Sequence, residues 1–135
     1  MKIMLLLMVL SLVVVGCQNN TTGECCDAAN PYEGSIRHVV VFKFKESASE
    51  ADIKKVVDAF TALKGKIPQI RDYEWGTNNS PEGLNKGFTH CFLLTFDTVA
   101  DRDAYLPHPA HLKFVEILKP HLEEPFVIDY EVKVK

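Results

Sequence analysis

The sequence lacks the motifs of several common enzyme classes. It contains no glycine-rich phosphate loop, no dinucleotide fingerprint and no nucleophile elbow. It also has no HExxH pair and no cysteine pair at the spacing of zinc ligands, so a metal could only be held by His108 and His111 with a third ligand. We therefore expect neither a metal nor an organic cofactor.

The chain also lacks an excess of basic residues. Its 15 Lys and Arg are outnumbered by 18 Asp and Glu, which gives a formal net charge of −3 at pH 7, and the two signs are interspersed. Nucleic-acid-binding domains carry a basic surface, so this balance argues against nucleic acid as a partner. There is no internal repeat or low-complexity run, and 135 residues suit a single folded domain.

The longest apolar run lies at the N terminus, from Ile3 to Val15, directly after Lys2. It is too short to span a bilayer, and a charged start followed by such a run is typical of a secretory signal peptide. The run closes on Val14-Val15-Gly16-Cys17, which resembles a bacterial lipobox. We predict a signal peptide over residues 1–16 and a diacylglycerol on Cys17. An ordinary signal peptide with an accidental cysteine, or an uncleaved anchor, is the alternative.

Residues 17–35 predict a flexible, lipidated tether, because they are rich in Asn, Thr and Gly and have no helical or strand period. Two or three acyl chains on Cys17 would hold the protein at a membrane, outside the cytoplasm. Gln18, rather than an aspartate, after that cysteine indicates the outer membrane if the cell has one. Cys25 and Cys26 are compatible with a disulfide to a second chain, or with an unpaired or vicinal pair of cysteines.

Residues 36–135 carry strand and helix patterns that predict one α+β domain. Period-two alternation indicates four strands, over 36–45, 70–76, 88–97 and 126–134. Three- and four-residue spacing indicates a helix from Ser49 to Gly65, and Pro107 divides a second helical stretch, whose second piece His108 should cap. Trp75 is expected in the core. The order βαββαβ predicts a ferredoxin-like fold with the helices on one face of a four-stranded antiparallel sheet.

The other face of that sheet is predicted to be bare. Its members form an apolar set that is too extensive for one exposed patch: Val39, Val41, Cys91, Leu93, Phe126, Ile128, Tyr130 and Val132. Because apolar surfaces of that size are normally covered, we expect a second sheet to pack on this one, and hence a twofold homodimer.

The face under the helices carries unusual polar residues. The row of the last helix that contains His111 should face three polar strand positions: His38, His90 and Asp129. Tyr105 lies six residues before His111, across the proline break. A histidine beside a carboxylate can act as a base at neutral pH, and a tyrosine hydroxyl can donate to a developing oxyanion. Chemistry is therefore expected here if the protein performs any.

Each of these residues also has a structural interpretation. His111 would then be a hydrogen-bonded histidine on an apolar helix face, and Tyr105 would pack its ring while its hydroxyl meets water. His38 and His90 would satisfy one another and Asp129 across neighbouring strands, rather than line a pocket.

These residues stand in motifs that resemble the stress-responsive α/β-barrel family, the dimeric α+β barrels. The resemblance rests on YLPHPAH, which ends at His111, and on IRHVVVFKFK, YEWG, GFTH and VIDYEV, and it extends from Ile36 to Lys135. It implies the same fold and a homodimer in which two sheets face each other. Members of the family include a polyketide cyclase, stress-induced proteins and many proteins with no assigned role.

The resemblance to that cyclase implies specific roles for two residues. His111 would be the base and Tyr105 the oxyanion donor of an aldol-type ring closure that needs no cofactor. The positions that match its polar residues are His38, His90 and Asp129. The expected pocket lining differs in size at Val56, Val57, Phe60 and Phe92. We count Phe92 with the three polar residues as ligand-binding.

Three functions follow from these patterns. The favoured one is binding of a small, partly apolar molecule between helices and sheet, without turnover, by a lipid-anchored homodimer. The chief alternative is a cofactor-free cyclase or lyase that uses His111 and Tyr105, although activated polyketides are made in the cytoplasm and this chain is expected outside it. The third is a structural stress protein whose polar cluster only stabilises the fold.

Overall fold

The elements follow the βαββαβ order predicted from the sequence, with the second helical stretch in two pieces. The structure, a computed structural model, describes residues 30–134. Its elements are β1 (Ile36–Phe44), α1 (Glu50–Thr61), β2 (Asp72–Thr77), β3 (His90–Phe96), α2 (Val99–Tyr105), α3 (Pro109–Leu118) and β4 (Leu122–Glu131). All strand pairs are antiparallel, and the strand order is β2-β3-β1-β4. The predicted ferredoxin-like fold is confirmed.

The central strand β1 determines which side chains share a face. It pairs with β3 and with β4, so that His38 lies opposite Leu94 on one side and opposite Asp129 on the other. Successive side chains of a strand point to opposite faces. The even positions of β1 face the helices and are its buried ones: Ile36, His38, Val40 and Phe42.

The core lies between this face of the sheet and the helices, and aromatic rings dominate it. Phe60 of α1 stacks on Phe114 of α3 with 4.4 Å between ring centroids. On the sheet side it lies 4.6 Å from Phe92 and 5.8 Å from Phe42. Burial of one such side chain contributes roughly 1.5–3 kcal/mol. This cluster therefore joins α1 and α3 to the sheet.

The helices begin where the capping signals predict. The Ser49 hydroxyl accepts a hydrogen bond from the backbone amide of Asp52, and the Asp52 carboxylate accepts one from the backbone amide of Ser49. The two bonds form a capping box at the start of α1. Thr98 caps α2 in a similar way. His108 caps α3, because its Nδ1 accepts from the Ala110 amide at 3.1 Å. Each cap stabilises its helix by about 1 kcal/mol.

Two element boundaries differ from the prediction by four residues. The helix α1 ends at Thr61 and not at Gly65, and the following turns still bury Leu63 and Ile67. Both residues continue the apolar row of the helix, so hydrophobic spacing alone cannot distinguish helix from turn there. The strand β4 begins at Leu122, ahead of the predicted start at residue 126.

The folded part also begins earlier than predicted. Residues 30–35 were assigned to the tether, but Tyr32 packs against the domain. The guanidinium carbon of Arg37 lies 4.1 Å from the centroid of its ring, and its hydroxyl donates to Asp72 at 2.9 Å. Residues 30–35 therefore pack on the domain.

The face of the sheet away from the helices is exposed in the single chain. Three large side chains of β4 on this face are about half exposed: Phe126 at 49%, Ile128 at 46% and Tyr130 at 48%. Their neighbours on the same face of β1 and β3 are Val39, Val41, Cys91 and Leu93. We call this apolar surface the open face.

The predictions for the N terminus concern residues that the structure does not describe. The signal peptide over 1–16, the lipidated Cys17 and the pair Cys25 and Cys26 all lie outside the described residues. Among residues 30–134, no helix combines the length and the hydrophobicity that crossing a membrane requires.

Candidate functional site

A cavity of about 390 Å³ lies between the sheet and the helices α2 and α3. Ligand pockets typically measure roughly 300–1,000 Å³. Apolar side chains form most of its wall: Val40, Phe42, Phe60, Phe114, Val115 and Leu118. Three polar side chains lie together at one end, His38, Tyr105 and His111, and Lys119 is the other polar residue of the lining. The cavity thus combines an apolar wall with a small polar end.

A backbone hydrogen bond fixes the protonation of His111. Its Nδ1 lies 2.8 Å from the carbonyl oxygen of Leu106. Because a carbonyl oxygen can only accept, Nδ1 carries the proton and Nε2 keeps its lone pair. Burial lowers the pKa of His111 below its usual value of 6.5; the hydrogen bond to Leu106 opposes this shift, and the neighbouring His38 and His108 add to it. The ring is therefore neutral at pH 7, and Nε2 can accept a hydrogen bond or a proton.

Tyr105, the last residue of α2, lies beside both imidazoles. Its ring centroid is 4.3 Å from that of His111 and 5.8 Å from that of His38. Its hydroxyl is buried and has no hydrogen-bond partner among residues 30–134. The structural interpretation, in which this hydroxyl meets water, is therefore wrong. Burial raises the pKa of Tyr105, so the hydroxyl remains protonated and can donate.

His38 is the third polar group, and it is held from β4 and α2 together. Its Nδ1 donates to Oδ1 of Asp129 at 2.6 Å. The guanidinium Nη1 of Arg102 donates to the other oxygen of Asp129, and its Nε donates to Asp103 at 2.7 Å. One carboxylate therefore orients the imidazole and ties α2 to β4.

Sequence reasoning did not single out Arg102. Its only signal is its position three residues before Tyr105, which places both side chains on one side of α2. The pairing of His38 with Asp129, by contrast, follows from the predicted strand pattern and agrees with the observed register.

His90 does not lie in this cavity, contrary to the expectation that it faces the same helix row as His38. It occupies the same face of the sheet, but it is four residues along β3 from Leu94, the partner of His38. At about 3.3 Å per residue, the two imidazoles are separated by roughly 13 Å along the sheet. His90 instead lies beside Trp75. The prediction that Trp75 belongs to the core is wrong, because its side chain is 46% exposed.

Phe92 does not line the cavity either. It is completely buried, and its ring centroid lies 5.0 Å from that of Phe42 and 4.6 Å from that of Phe60. Both of those rings line the cavity. Phe92 therefore supports the cavity wall from behind, and its size can affect a ligand only through these two neighbours.

The fold and the cavity together define a small ferredoxin-like α+β protein whose candidate site lies between a divided helix and the sheet. The chain belongs to the stress responsive A/B barrel domain family, whose model matches residues 36–132. The family predicted from the sequence motifs is confirmed.

Two plant proteins are similar to this chain in sequence. A stress-response A/B barrel domain-containing protein of Arabidopsis thaliana is 32% identical over 99 residues, which cover 73% of this chain and 91% of the relative. Olivetolic acid cyclase of Cannabis sativa is 29% identical over 96 residues, which cover 71% of this chain and 95% of the relative.

Two solved structures share the fold. The hydroxynitrile lyase from Passiflora edulis has a TM-score of 0.71 and 29% identity, covering 78% of this chain and 98% of its own. A dimeric protein with a ferredoxin-like fold from Bacteroides fragilis has a TM-score of 0.62 and 28% identity, covering 75% of this chain and 99% of its own. Because these relatives include a cyclase, a lyase and a protein of unknown function, family membership alone does not determine the activity.

Replacement of Tyr105 by phenylalanine is expected to stabilise the protein. A buried hydroxyl without a partner costs about 1–3 kcal/mol, so its removal should raise the free energy of unfolding by about 1 kcal/mol while the ring packing is kept. Urea unfolding at one protein concentration measures the difference. Tyr73→Phe is the matched control, because the Tyr73 hydroxyl has a partner in Thr61 at 3.3 Å. Equal destabilisation by both variants would contradict the assignment of an unpartnered hydroxyl.

Proposed function

We propose that this protein binds a small, partly apolar molecule in the cavity under α2 and α3 and releases it unchanged. The observation that carries this proposal is an apolar cavity whose lining includes Tyr105, the hydroxyl of which is buried and has no hydrogen-bond partner among residues 30–134. A ligand oxygen that accepts from this hydroxyl would remove the cost of burying it. The apolar part of the ligand would contact the aromatic and aliphatic wall.

His111 and Tyr105 define which polar groups the ligand should carry. Nε2 of His111 is an acceptor, since this imidazole is neutral and its Nδ1 donates to the carbonyl oxygen of Leu106. The Tyr105 hydroxyl is a donor. A ligand with a carbonyl oxygen next to a hydroxyl group would therefore satisfy both groups, with its carbonyl at Tyr105 and its hydroxyl at His111.

We also propose that the protein acts as a homodimer anchored to a membrane by lipid on Cys17. The half-exposed side chains of the open face support the dimer, and the relative from Bacteroides fragilis is dimeric. The lipobox-like sequence that ends at Cys17 supports a location outside the cytoplasm, in the outer membrane of a cell that has one. This location favours binding over synthesis, because activated polyketides are made inside the cell.

The His111→Ala variant tests ligand binding. The full chain purified from its native host should carry a small molecule that native mass spectrometry detects. Loss of one hydrogen bond of about 1.4 kcal/mol should weaken this binding roughly tenfold in His111→Ala. His121→Ala is the matched control, because His121 lies outside the cavity lining. An empty wild-type protein, together with no thermal stabilisation by aromatic or acyl compounds, would contradict the proposal.

A second candidate function is acid–base catalysis at the same site. It is favoured by the neutral imidazole of His111 and the protonated Tyr105, whose ring centroids lie 4.3 Å apart. In such a reaction Nε2 would remove a proton adjacent to a carbonyl group, while the hydroxyl donates to the carbonyl oxygen as it becomes negative. Two relatives are named as a cyclase and a lyase.

The same variant distinguishes the functions. For catalysis, His111→Ala should lower the turnover of a carbonyl compound by about 10²–10⁴-fold while the protein remains folded. For binding alone, neither protein should convert the ligand. A variant that loses its fold would instead favour a structural role for His111.

A further inference from the structure

We propose a second binding site, for a small organic cation, at the other end of the sheet. A cavity of about 420 Å³ lies between α1 and the sheet edge formed by β2 and β3. Trp75 and His90 form its sheet side, and Ile53 and Val57 form the apolar part of its helix side. It shares no lining residue with the cavity under α2 and α3.

Stacked aromatic rings form the sheet side of this second cavity. The rings of Trp75 and His90 are nearly parallel, with 8° between their planes and 6.2 Å between their centroids. Phe92 continues the row behind them, 6.0 Å from Trp75 at 23°. Because β2 is an edge strand, Trp75 is 46% exposed. Indole has the electron-rich face that attracts cations most strongly among the aromatic side chains.

The charges on the helix side favour a positive ligand. Lys54 lies 2.6 Å from Asp58, so these two charges are paired with each other. Glu50 also lines the cavity and has no ion-pair partner within residues 30–134. Burial lowers the pKa of His90, so the imidazole is neutral at pH 7 and adds no opposing charge. The lining therefore carries a net charge of −1.

This combination suits an alkylated ammonium group with a small apolar body. Its methyl groups would contact Trp75 and Val57, while the indole face and the carboxylate of Glu50 both attract its positive charge. A neutral molecule of the same shape would gain only the apolar contacts. An anion would be repelled by Glu50. Charge, rather than shape, should consequently decide the affinity.

Fluorescence tests this site directly, because Trp75 is the only tryptophan in the chain. Choline and its neutral isostere 3,3-dimethylbutan-1-ol are titrated into the full chain at an ionic strength held constant with potassium chloride. We expect choline to change the emission saturably and to bind roughly fivefold more tightly than the isostere. Equal affinities for the two, or a response to choline no larger than that to potassium chloride, would overturn the proposal.

A pair of charge variants tests the contribution of the carboxylate. Glu50→Gln should weaken choline binding roughly twofold and leave the isostere unaffected. Glu116→Gln is the control, because Glu116 is exposed on α3 and lines neither cavity. Choline binding that Glu50→Gln does not weaken would refute the assignment of Glu50 to this site. The outcome is independent of the ligand proposed for the first cavity, because the two sites have no residue in common.

Discussion

Ile128→Asp is expected to abolish the homodimer. Ile128 lies opposite Val39 on the open face and is 46% exposed in the single chain. If a second copy covers this face, the variant buries a carboxylate in an apolar interface, and the twofold symmetry repeats the cost. Each buried, unpaired charge costs several kcal/mol. Sedimentation equilibrium of the full chain should therefore change from dimer to monomer or aggregate.

Leu84→Asp is the control for this experiment. Leu84 is 73% exposed in the loop between β2 and β3, so the same chemical change there should leave the sedimentation profile unaltered. A dimer that survives Ile128→Asp would show that the open face is not the interface. The proposed assembly would then have to be abandoned, although the fold and the two cavities would stand.

Phe60→Ala is expected to lower the free energy of unfolding by about 3–5 kcal/mol. Phe60 is 1% exposed, and four other rings surround it: Phe42, Tyr73, Phe92 and Phe114. Its removal deletes the contacts that join α1 and α3 to the sheet. Because Phe60 also lines the first cavity, the variant should enlarge the cavity and weaken ligand binding as well. Chemical denaturation at a fixed protein concentration measures the stability.

Leu112→Ala provides the comparison for the core variant. Leu112 is an apolar residue of α3, but it is 52% exposed, so its truncation should change stability by no more than about 0.5 kcal/mol. A loss below about 1 kcal/mol in Phe60→Ala would mean that the aromatic cluster relaxes around the gap and does not hold the layers together.

The sequence was sufficient to predict the fold and, at the first cavity, the shared face of His38 and Asp129. Period-two alternation placed His38 and Asp129 on the helix-facing side of their strands, and the observed register brings them to 2.6 Å. Alternation says nothing about distance along a strand, however. His90 shares that face but lies at the other end of the sheet, and only the register of β1 with β3 reveals the separation.

Burial within a strand depends on neighbours that the local pattern does not contain. Phe92 and Trp75 lie opposite each other on β3 and β2, yet Phe92 is 0% exposed and Trp75 is 46% exposed. The difference arises because β3 has a strand on each side, whereas β2 is at the edge. Arg102 was missed for a related reason, since its contact with Asp129 depends on how α2 lies over β4.

The packing of Tyr32 has a mechanical consequence if the protein is held by its N terminus, as proposed above. Force applied through the leading segment would reach this ring before it reaches β1. The ring lies 4.1 Å from the guanidinium of Arg37 and 5.1 Å from that of Arg71, and its hydroxyl is bonded to Asp72. These contacts must rupture before the central strand can be peeled away. Tyr32 would thus form the first barrier to unfolding when tension is applied to the domain from its N-terminal side.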